Sequence, residues 1–191
     1  MKELPTTYCA MMKDPKLPGV HRTYHDEVYG FPVADDNEMF ARLVLELNQA
    51  GLSWTTILNK QENFRKAYSD FNISIVAAYG ETERKRLLSD AGIIRNRLKI
   101  DAAIYNATRI LDLQNEHGSF KNWLDRSVGI DLGAWVKLFK GEFKFTGGEI
   151  TKEFLFSLGY IEGAHESSCP VYKRILELDP PWIRADRPGV G

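Results

Sequence analysis

Apolar residues recur at helical spacing along most of the chain, whereas the alternation typical of strands is scarce. The clearest amphipathic run begins with the capping-box pair Asp35 and Glu38, and Gly51 ends it. Its apolar positions are Met39, Phe40, Leu43, Val44 and Leu47. Further helices are predicted over residues 53–60, 61–71, 73–79, 81–89, 96–116, 120–127 and 132–140.

A second capping box, Thr146 with Glu149, predicts a helix that Gly159 closes. Beyond Pro170 the pattern predicts a last short helix and then an extended tail after about residue 178. We therefore predict an all-α fold of about eight to ten short helices. A chain of 191 residues is expected to form one domain, residues 1–191.

Composition excludes several classes of protein. Hydrophobic residues make up 43% and charged residues 27%, which excludes disordered, collagen-like and coiled-coil chains. The net charge of −1 excludes a polybasic binding mode, so any nucleic-acid surface must be a local patch. Two cysteines are too few for a disulfide-stapled secreted fold. With no apolar run long enough to span a membrane, we expect a soluble, cytoplasmic protein without a membrane partner.

Sparse cysteine and histidine residues stand near the two ends of the sequence. His165 and Cys169 are spaced i, i+4, and Cys9 with His25 could complete a tetrahedral Cys2His2 zinc site. Four protein ligands leave no open position, so this zinc would be structural and would join the two ends of the chain. The alternative is that the cysteines are ordinary core residues, and His21 competes with His25 as a ligand.

The segment from 143 to 149 joins two helical patterns through a tight, glycine-containing turn. A helix N-terminus there attracts phosphate through its free N–H groups and its dipole, without reading base sequence. Lys144, Thr146, Gly147 and Gly148 are therefore predicted to contact the DNA backbone. Six basic residues against one acid between 84 and 99 give a second positive cluster, in which Arg95 is the DNA-backbone candidate. The alternative for such a run is a solvated helix face.

Three blocks resemble the DNA-3-methyladenine glycosylase I family in their order and spacing: 24–30, 45–54 and 90–95. Residues 49–54, Gln-Ala-Gly-Leu-Ser-Trp, are the most specific part. The turn over 143–147 resembles that family's helix-hairpin-helix element, so the likeness extends from about Cys9 to Cys169. The resemblance implies a helix-hairpin-helix glycosylase fold with a structural zinc ion, acting on double-stranded DNA that contains alkylated bases. We also expect a monomer.

The resemblance also implies the roles of individual residues. Its zinc ligands correspond to Cys9, His25, His165 and Cys169. Glu46 would recognise the base, and the aromatic stacking partners would be Trp54 and Tyr24. Tyr29 stands where the family usually has Trp, so we expect it in the base-binding set, and we expect Glu46 and Tyr24 to be the catalytic residues. The alternative is that Glu46 is an ion-paired helix acid and that the aromatic residues belong to the core.

The expected reaction is hydrolysis of the N-glycosidic bond of a flipped-out 3-methyladenine. Methylation makes this base a cation with a weakened bond to the sugar, and π faces with a carboxylate would favour it over neutral adenine. No Asp lies between Gly147 and Arg174 to support a strong general-base mechanism. The competing hypothesis is a noncatalytic, zinc-stapled module that binds DNA or a repair partner. Its activity would have been lost with changes such as Ala10-Met11, where the family usually has Gly-Trp. A third hypothesis, that the zinc is catalytic, is weaker, because a catalytic zinc requires an open coordination position.

Overall fold

The computed structural model describes residues 7–185 of the chain. All regular secondary structure in this range is helical, which confirms the predicted all-α class. The helices are α1 (Tyr8–Met11), α2 (Gly19–Glu27), α3 (Asp36–Gln49), α4 (Trp54–Asn59), α5 (Gln61–Ala67), α6 (Ile73–Ala77), α7 (Glu81–Ser89), α8 (Arg97–His117), α9 (Phe120–Asp125), α10 (Leu132–Glu142), α11 (Gly148–Ser157), α12 (Pro170–Glu177) and α13 (Pro181–Ala185), with a 3-10 turn at Ser69–Phe71. Each helix in this described range is too short or too polar to span a bilayer.

The chain divides into two compact units. Of the described residues, the first unit combines 7–32 with 155–185, so it is built from both ends of the sequence. The second is the continuous stretch 33–154. In the second unit α8 packs against α3, α6, α7 and α9. The large side chains buried in this unit's core include Phe40, Phe64, Tyr68, Phe71, Phe120, Trp135 and Phe139.

Local capping explains why α3 begins and ends where it does. The Asp35 carboxylate accepts a hydrogen bond from the Glu38 N–H at 2.9 Å, as the capping pattern predicts. The helix ends at Gln49, and Gly51 has a left-handed φ of +79° that glycine adopts without steric cost. Ser53 then caps α4, its hydroxyl oxygen accepting from the Thr56 N–H at 3.2 Å. The chain thus turns sharply between α3 and α4.

One predicted helix and the predicted tail differ clearly from the structure. The helix predicted over 61–71 stops at Ala67, because Ser69, Asp70 and Phe71 all have positive φ values that an α-helix cannot continue. The extended tail predicted after about residue 178 is wrong for 181–185, which form α13. The rest of that predicted tail, 186–191, lies outside the described residues.

The hairpin between α10 and α11 differs from the predicted turn. The capping box at Thr146 is wrong, because it predicts a helix that begins at residue 147, whereas α11 begins at Gly148. The buried Thr146 hydroxyl instead donates to the carbonyls of Phe139 and Phe143, at 3.1 and 3.2 Å. The left-handed residue of this turn is also not a glycine: Phe145 has φ +64°.

Candidate functional site

The first unit holds a cluster of two cysteines and two histidines. The candidate ligand atoms of Cys9, His25, His165 and Cys169 all lie within 4.8 Å of one another. The Cys9 Sγ lies 3.3 Å from His25 Nε2 and 3.5 Å from His165 Nδ1. The Cys169 Sγ lies 3.8 and 3.7 Å from the same two nitrogens. The fold therefore brings together four residues from opposite ends of the sequence.

These separations fit a tetrahedral zinc ion. Bond lengths of about 2.3 Å to sulfur and about 2.0–2.1 Å to nitrogen place tetrahedral S and N ligands about 3.5 Å apart. Burial and the neighbouring thiol raise the pKa of Cys9 to about 11, so without a cation this thiol keeps its proton. Burial lowers the pKa of His165, which favours the neutral imidazole that a metal ligand requires.

Each histidine of the cluster is oriented by a second hydrogen bond. The Nδ1 of His25 lies 2.7 Å from an Asp26 carboxylate oxygen, and the Nε2 of His165 lies 2.7 Å from the carbonyl oxygen of Tyr29. Such hydrogen bonds usually orient metal-binding histidines.

Gly30, which follows Tyr29, has φ +85°, and a Cβ there would lie 2.9 Å from Ala164 Cβ. This position therefore requires glycine both for its backbone angle and for the close approach.

His21 is not part of this cluster. Its Nδ1 lies 2.9 Å from the Tyr8 hydroxyl, and burial lowers its pKa. His25 is thus the histidine of α2 that faces the two cysteines, which resolves the alternative that the sequence left open. The segment 165–169 is a turn and not a helix, and Cys169 is the N-cap of α12.

Glu46 is a buried acid in the second unit. It lies on α3 and is 5% exposed. Burial raises its pKa to about 8; the negative charge of Glu153 adds to this rise, and the positive charge of Arg42 opposes it. The Arg42 Nε lies 3.5 Å from a Glu38 carboxylate oxygen, so its charge is shared with a second acid. A buried acid with a raised pKa is stabilised in its ionised form when a cation binds beside it.

Trp54 is the first residue of α4 and is half-buried. The short turn between α3 and α4 joins it to the helix that carries Glu46. That turn is held by Lys99, whose Nζ donates to the carbonyls of Asn48 and Ala50, both at 2.7 Å. The backbone that connects Glu46 to Trp54 is therefore held in place by these two hydrogen bonds.

Tyr24 and Tyr29 belong to the first unit and are both buried. Their ring centroids lie 5.8 Å apart with an interplanar angle of 36°. Tyr8 packs edge-on against Tyr29, at a centroid distance of 5.4 Å. The two predicted base-binding tyrosines are thus members of an aromatic cluster next to the cysteine and histidine cluster.

The hairpin between α10 and α11 is held from behind by the fully buried Asn106. The Asn106 side-chain oxygen accepts from the Lys144 N–H at 2.8 Å, and its amide nitrogen donates to the Lys144 carbonyl at 3.1 Å. The Lys144 side chain, Gly147 and Gly148 are exposed, whereas Thr146 is buried with its hydroxyl turned inward. An open groove runs along this hairpin, lined by Lys140, Phe143, Phe145, Thr146, Gly147 and Ile150.

The basic cluster between 84 and 99 is largely engaged within the second unit. Arg84 is 2.8 Å from the Asp101 carboxylate, and Arg97 contacts the same carboxylate at 3.6 Å. Arg86 donates to a backbone carbonyl, and Lys99 is buried. Arg95 is exposed. Because most of these cations already have partners, fewer of them are available to bind DNA than the count of basic residues suggests.

Sequence reasoning missed the supporting residues Asp26, Asn106 and Lys99. Asp26 follows His25 directly in the sequence, and an acid beside a candidate metal ligand indicates a hydrogen bond that orients it. Asn106 lies inside a helix 38 residues from its partner, Lys144. Lys99 appeared only as one of a run of basic residues. No local pattern marks these last two, because their partners are distant in sequence.

Known proteins similar to this chain are glycosylases for methylated adenine. A model of the methyladenine glycosylase family matches residues 16–133. DNA-3-methyladenine glycosylase 1 of Escherichia coli is 43% identical over 78% of this chain and 89% of its own. DNA-3-methyladenine glycosylase of Haemophilus influenzae is 30% identical over 86% of this chain and 97% of its own. A solved Tyr-to-Phe variant of 3-methyladenine DNA glycosylase I in complex with 3-methyladenine has a TM-score of 0.75 and 32% identity, covering 86% of this chain and 96% of that chain.

Proposed function

The chain belongs to the methyladenine glycosylase family, and we propose on this premise that it releases 3-methyladenine from alkylated double-stranded DNA by hydrolysing the N-glycosidic bond. The observation that carries the proposal is the buried Glu46, joined by a fixed turn to the half-buried Trp54. The sequence around them, 45–54, is also the part that most resembles the family.

Glu46 recognises the positive charge of the methylated base in this proposal. 3-Methyladenine attached to the sugar is a cation, and a buried carboxylate stabilises a cation more strongly than one in water does. Neutral adenine offers no such charge. The ring of Trp54 supplies a π face for the same cation. Tyr24 and Tyr29 are proposed as further aromatic residues that bind the base, and Tyr24 is proposed together with Glu46 as a catalytic residue.

The flipped base leaves with the electrons of its bond to the sugar, the sugar becomes oxocarbenium-like, and water completes the hydrolysis. No Asp lies between Gly147 and Arg174 to act as a strong general base, so the cationic leaving group itself lowers much of the barrier. Glu46 then acts chiefly in recognition, with a secondary electrostatic effect on the sugar cation.

DNA backbone binding is proposed for the hairpin and for Arg95. The ten-residue helix α11 begins at the exposed Gly148, directly after the exposed Gly147. The N–H groups of a first helical turn and the helix dipole attract phosphate. Lys144 adds an exposed ammonium beside them. The hydroxyl of Thr146 already donates to two carbonyls, so its contribution would come through the backbone and the shape of the turn.

A structural zinc ion is proposed for Cys9, His25, His165 and Cys169, supported by their separations and by the oriented imidazoles. When bound, it would fix the two ends of the chain in the first unit and take no part in the chemistry. A closed set of four protein ligands leaves no position for water or substrate.

The test is release of the free base. Duplex DNA methylated by an alkylating agent is incubated with the protein, and the released bases are separated by chromatography. We expect 3-methyladenine in the soluble fraction and none from unmethylated DNA. Retained DNA binding without base release would support the noncatalytic module instead, and release of unmodified adenine would contradict recognition by charge.

A further inference from the structure

Lys99 is a buried cation that base recognition as described so far does not use. It lies in the first turn of α8 and is 5% exposed. Its ammonium carries three N–H donors, and two of them go to the carbonyls of Asn48 and Ala50, each at 2.7 Å. Because burial removes water from the ammonium, the pKa of Lys99 is lowered. These two hydrogen bonds therefore replace most of its hydration.

The two carbonyls belong to the turn between α3 and α4. Asn48 is in the last turn of the helix that carries Glu46, and Ala50 leaves the helix with ψ 117° to begin the turn that leads to Trp54. Carbonyls at a helix C-terminus have no partner within the helix and carry the negative end of its dipole. The Lys99 ammonium supplies both the donors and the opposite charge at this point.

The same ammonium also reaches the hairpin. Its Nζ lies 5.9 Å from the centroid of the Phe145 ring, within cation–π range. Phe145 is the residue with φ +64°, an angle that costs a non-glycine residue energy unless its surroundings hold it. One buried charge thus contacts both the turn between α3 and α4 and the hairpin between α10 and α11.

We propose that Lys99 is a positioning residue for base excision, which fixes the turn between Glu46 and Trp54 and connects it to Phe145 of the hairpin. The inference rests on the proposed function, because it assigns Lys99 a role only through the two base-binding residues. Lys99 itself touches neither base nor phosphate: its ammonium is buried and bonded to the protein backbone.

Two other roles for a buried lysine are distinguishable from this one. A phosphate contact would require exposure, which Lys99 lacks. A nucleophilic lysine, as in a glycosylase with lyase activity, would have to release its carbonyl partners and form a Schiff base with the sugar. Borohydride trapping of a covalent protein–DNA adduct that disappears in Lys99→Met would therefore overturn the proposal.

Lys60 offers a matched control in the same unit. Its Nζ donates to the carbonyls of Ala91 and Gly92 at 2.9 and 3.0 Å, so Lys60→Met also removes two ammonium–carbonyl bonds from a loop. That loop does not join Glu46 to Trp54. Single-turnover excision of 3-methyladenine, affinity for methylated DNA and melting temperature are measured for wild type, Lys99→Met and Lys60→Met.

We expect Lys99→Met to lower the single-turnover rate about tenfold, and Lys60→Met to lower it less than about twofold at a similar loss of melting temperature. Equal rates for the two variants would overturn the proposal. Lys99→Gln keeps two N–H donors and is expected to give an intermediate rate. It also serves as the test variant should Lys99→Met fail to fold, and a Lys99→Gln rate equal to wild type would then count against the proposal.

A double-mutant cycle tests whether Lys99 acts through Glu46. In a Glu46→Gln background, Lys99→Met is expected to lower the rate only about threefold, since part of what Lys99 positions has already been removed. An undiminished tenfold loss would mean that the two residues act independently, which overturns the proposal. If wild type releases no 3-methyladenine, the proposed function fails first, and this outcome is distinct from equal rates of wild type and variant.

Discussion

At the scale of single residues, the environment of Glu46 determines what it can bind. The side chain sits on α3 with Arg42 one helical turn before it, and Glu153 adds a second negative charge from α11. Burial and the neighbouring acid oppose ionisation more than Arg42 favours it, so the pKa rises to about 8. A cation entering this environment lowers the cost of ionisation, because it supplies the missing positive charge.

Glu46 should therefore impose a pH dependence on excision. In the free protein Glu46 is half ionised near its pKa of about 8, so kcat/KM for 3-methyladenine in DNA is expected to rise from about pH 6 to about pH 9 and then to level off. Glu46→Gln is expected to flatten this profile and to lower kcat/KM at pH 8 by about 10- to 100-fold. Steady-state rates on methylated DNA across this pH range check both outcomes. A parental rate and affinity for Glu46→Gln would show that recognition does not depend on its charge.

The raised pKa of Glu46 also predicts how stability depends on pH. Between the ordinary value of 4.5 and about 8, the folded protein keeps a proton on Glu46 that the unfolded chain has lost. The free energy of unfolding is therefore expected to fall as pH rises, by up to about 1.4 kcal/mol per pH unit from this group. Glu46→Gln mimics the protonated acid and should remove that part of the slope. Urea unfolding of both proteins at several pH values measures the difference, and identical slopes would contradict a raised pKa of Glu46.

At the scale of secondary structure, local signals predict the helices but not the non-glycine residues with left-handed backbone angles. Asp35 caps α3 as its sequence pattern predicts, because capping depends on residues only three positions apart. Phe145 was not predicted to be left-handed, since a phenylalanine adopts that angle only when distant residues hold it. Those residues, Asn106 and Lys99, lie about 40 positions away along the chain.

Asn106 should hold the hairpin in its DNA-binding shape. Asn106→Leu keeps the approximate size of the side chain but leaves the N–H and carbonyl of Lys144 without their partner, which is expected to lower the free energy of unfolding by about 2 kcal/mol. DNA affinity is expected to fall about fivefold, equivalent to about 1 kcal/mol. Denaturant unfolding and DNA-binding titrations measure the two effects. Asn37→Leu is the control, since Asn37 accepts from the Ile73 N–H far from the hairpin in sequence; an equal loss of DNA affinity in this control would contradict a specific role of Asn106.

At the scale of the whole molecule, chain topology explains why the cysteine and histidine cluster was partly predictable. Rare residue types near both ends indicate a site, and the family resemblance implies His25 as a ligand. The fold of the first unit agrees, because it places His25, and not His21, against the two cysteines. The same ends are also joined by the Thr7 hydroxyl, which donates to the Glu166 carboxylate. These contacts link parts of the chain more than 150 residues apart, and closing so long a loop is entropically costly.

Zinc should therefore increase stability by binding the folded state, in which the four ligands are assembled. At a free zinc concentration about 1,000 times the dissociation constant, the free energy of unfolding is expected to rise by about 4 kcal/mol, which corresponds to an increase in melting temperature of about 8–16 °C. Calorimetry of the chelator-treated and zinc-loaded protein, together with metal analysis, measures this increase and the expected ratio of one zinc ion per chain. Cys9→Ser should abolish most of the response, because it removes one of the two sulfur ligands while leaving Glu46 and Trp54 unchanged in sequence. Equal melting temperatures with and without zinc would contradict a structural metal. We expect the zinc-free protein to release the base below its melting temperature, because no step of the proposed chemistry uses the ion.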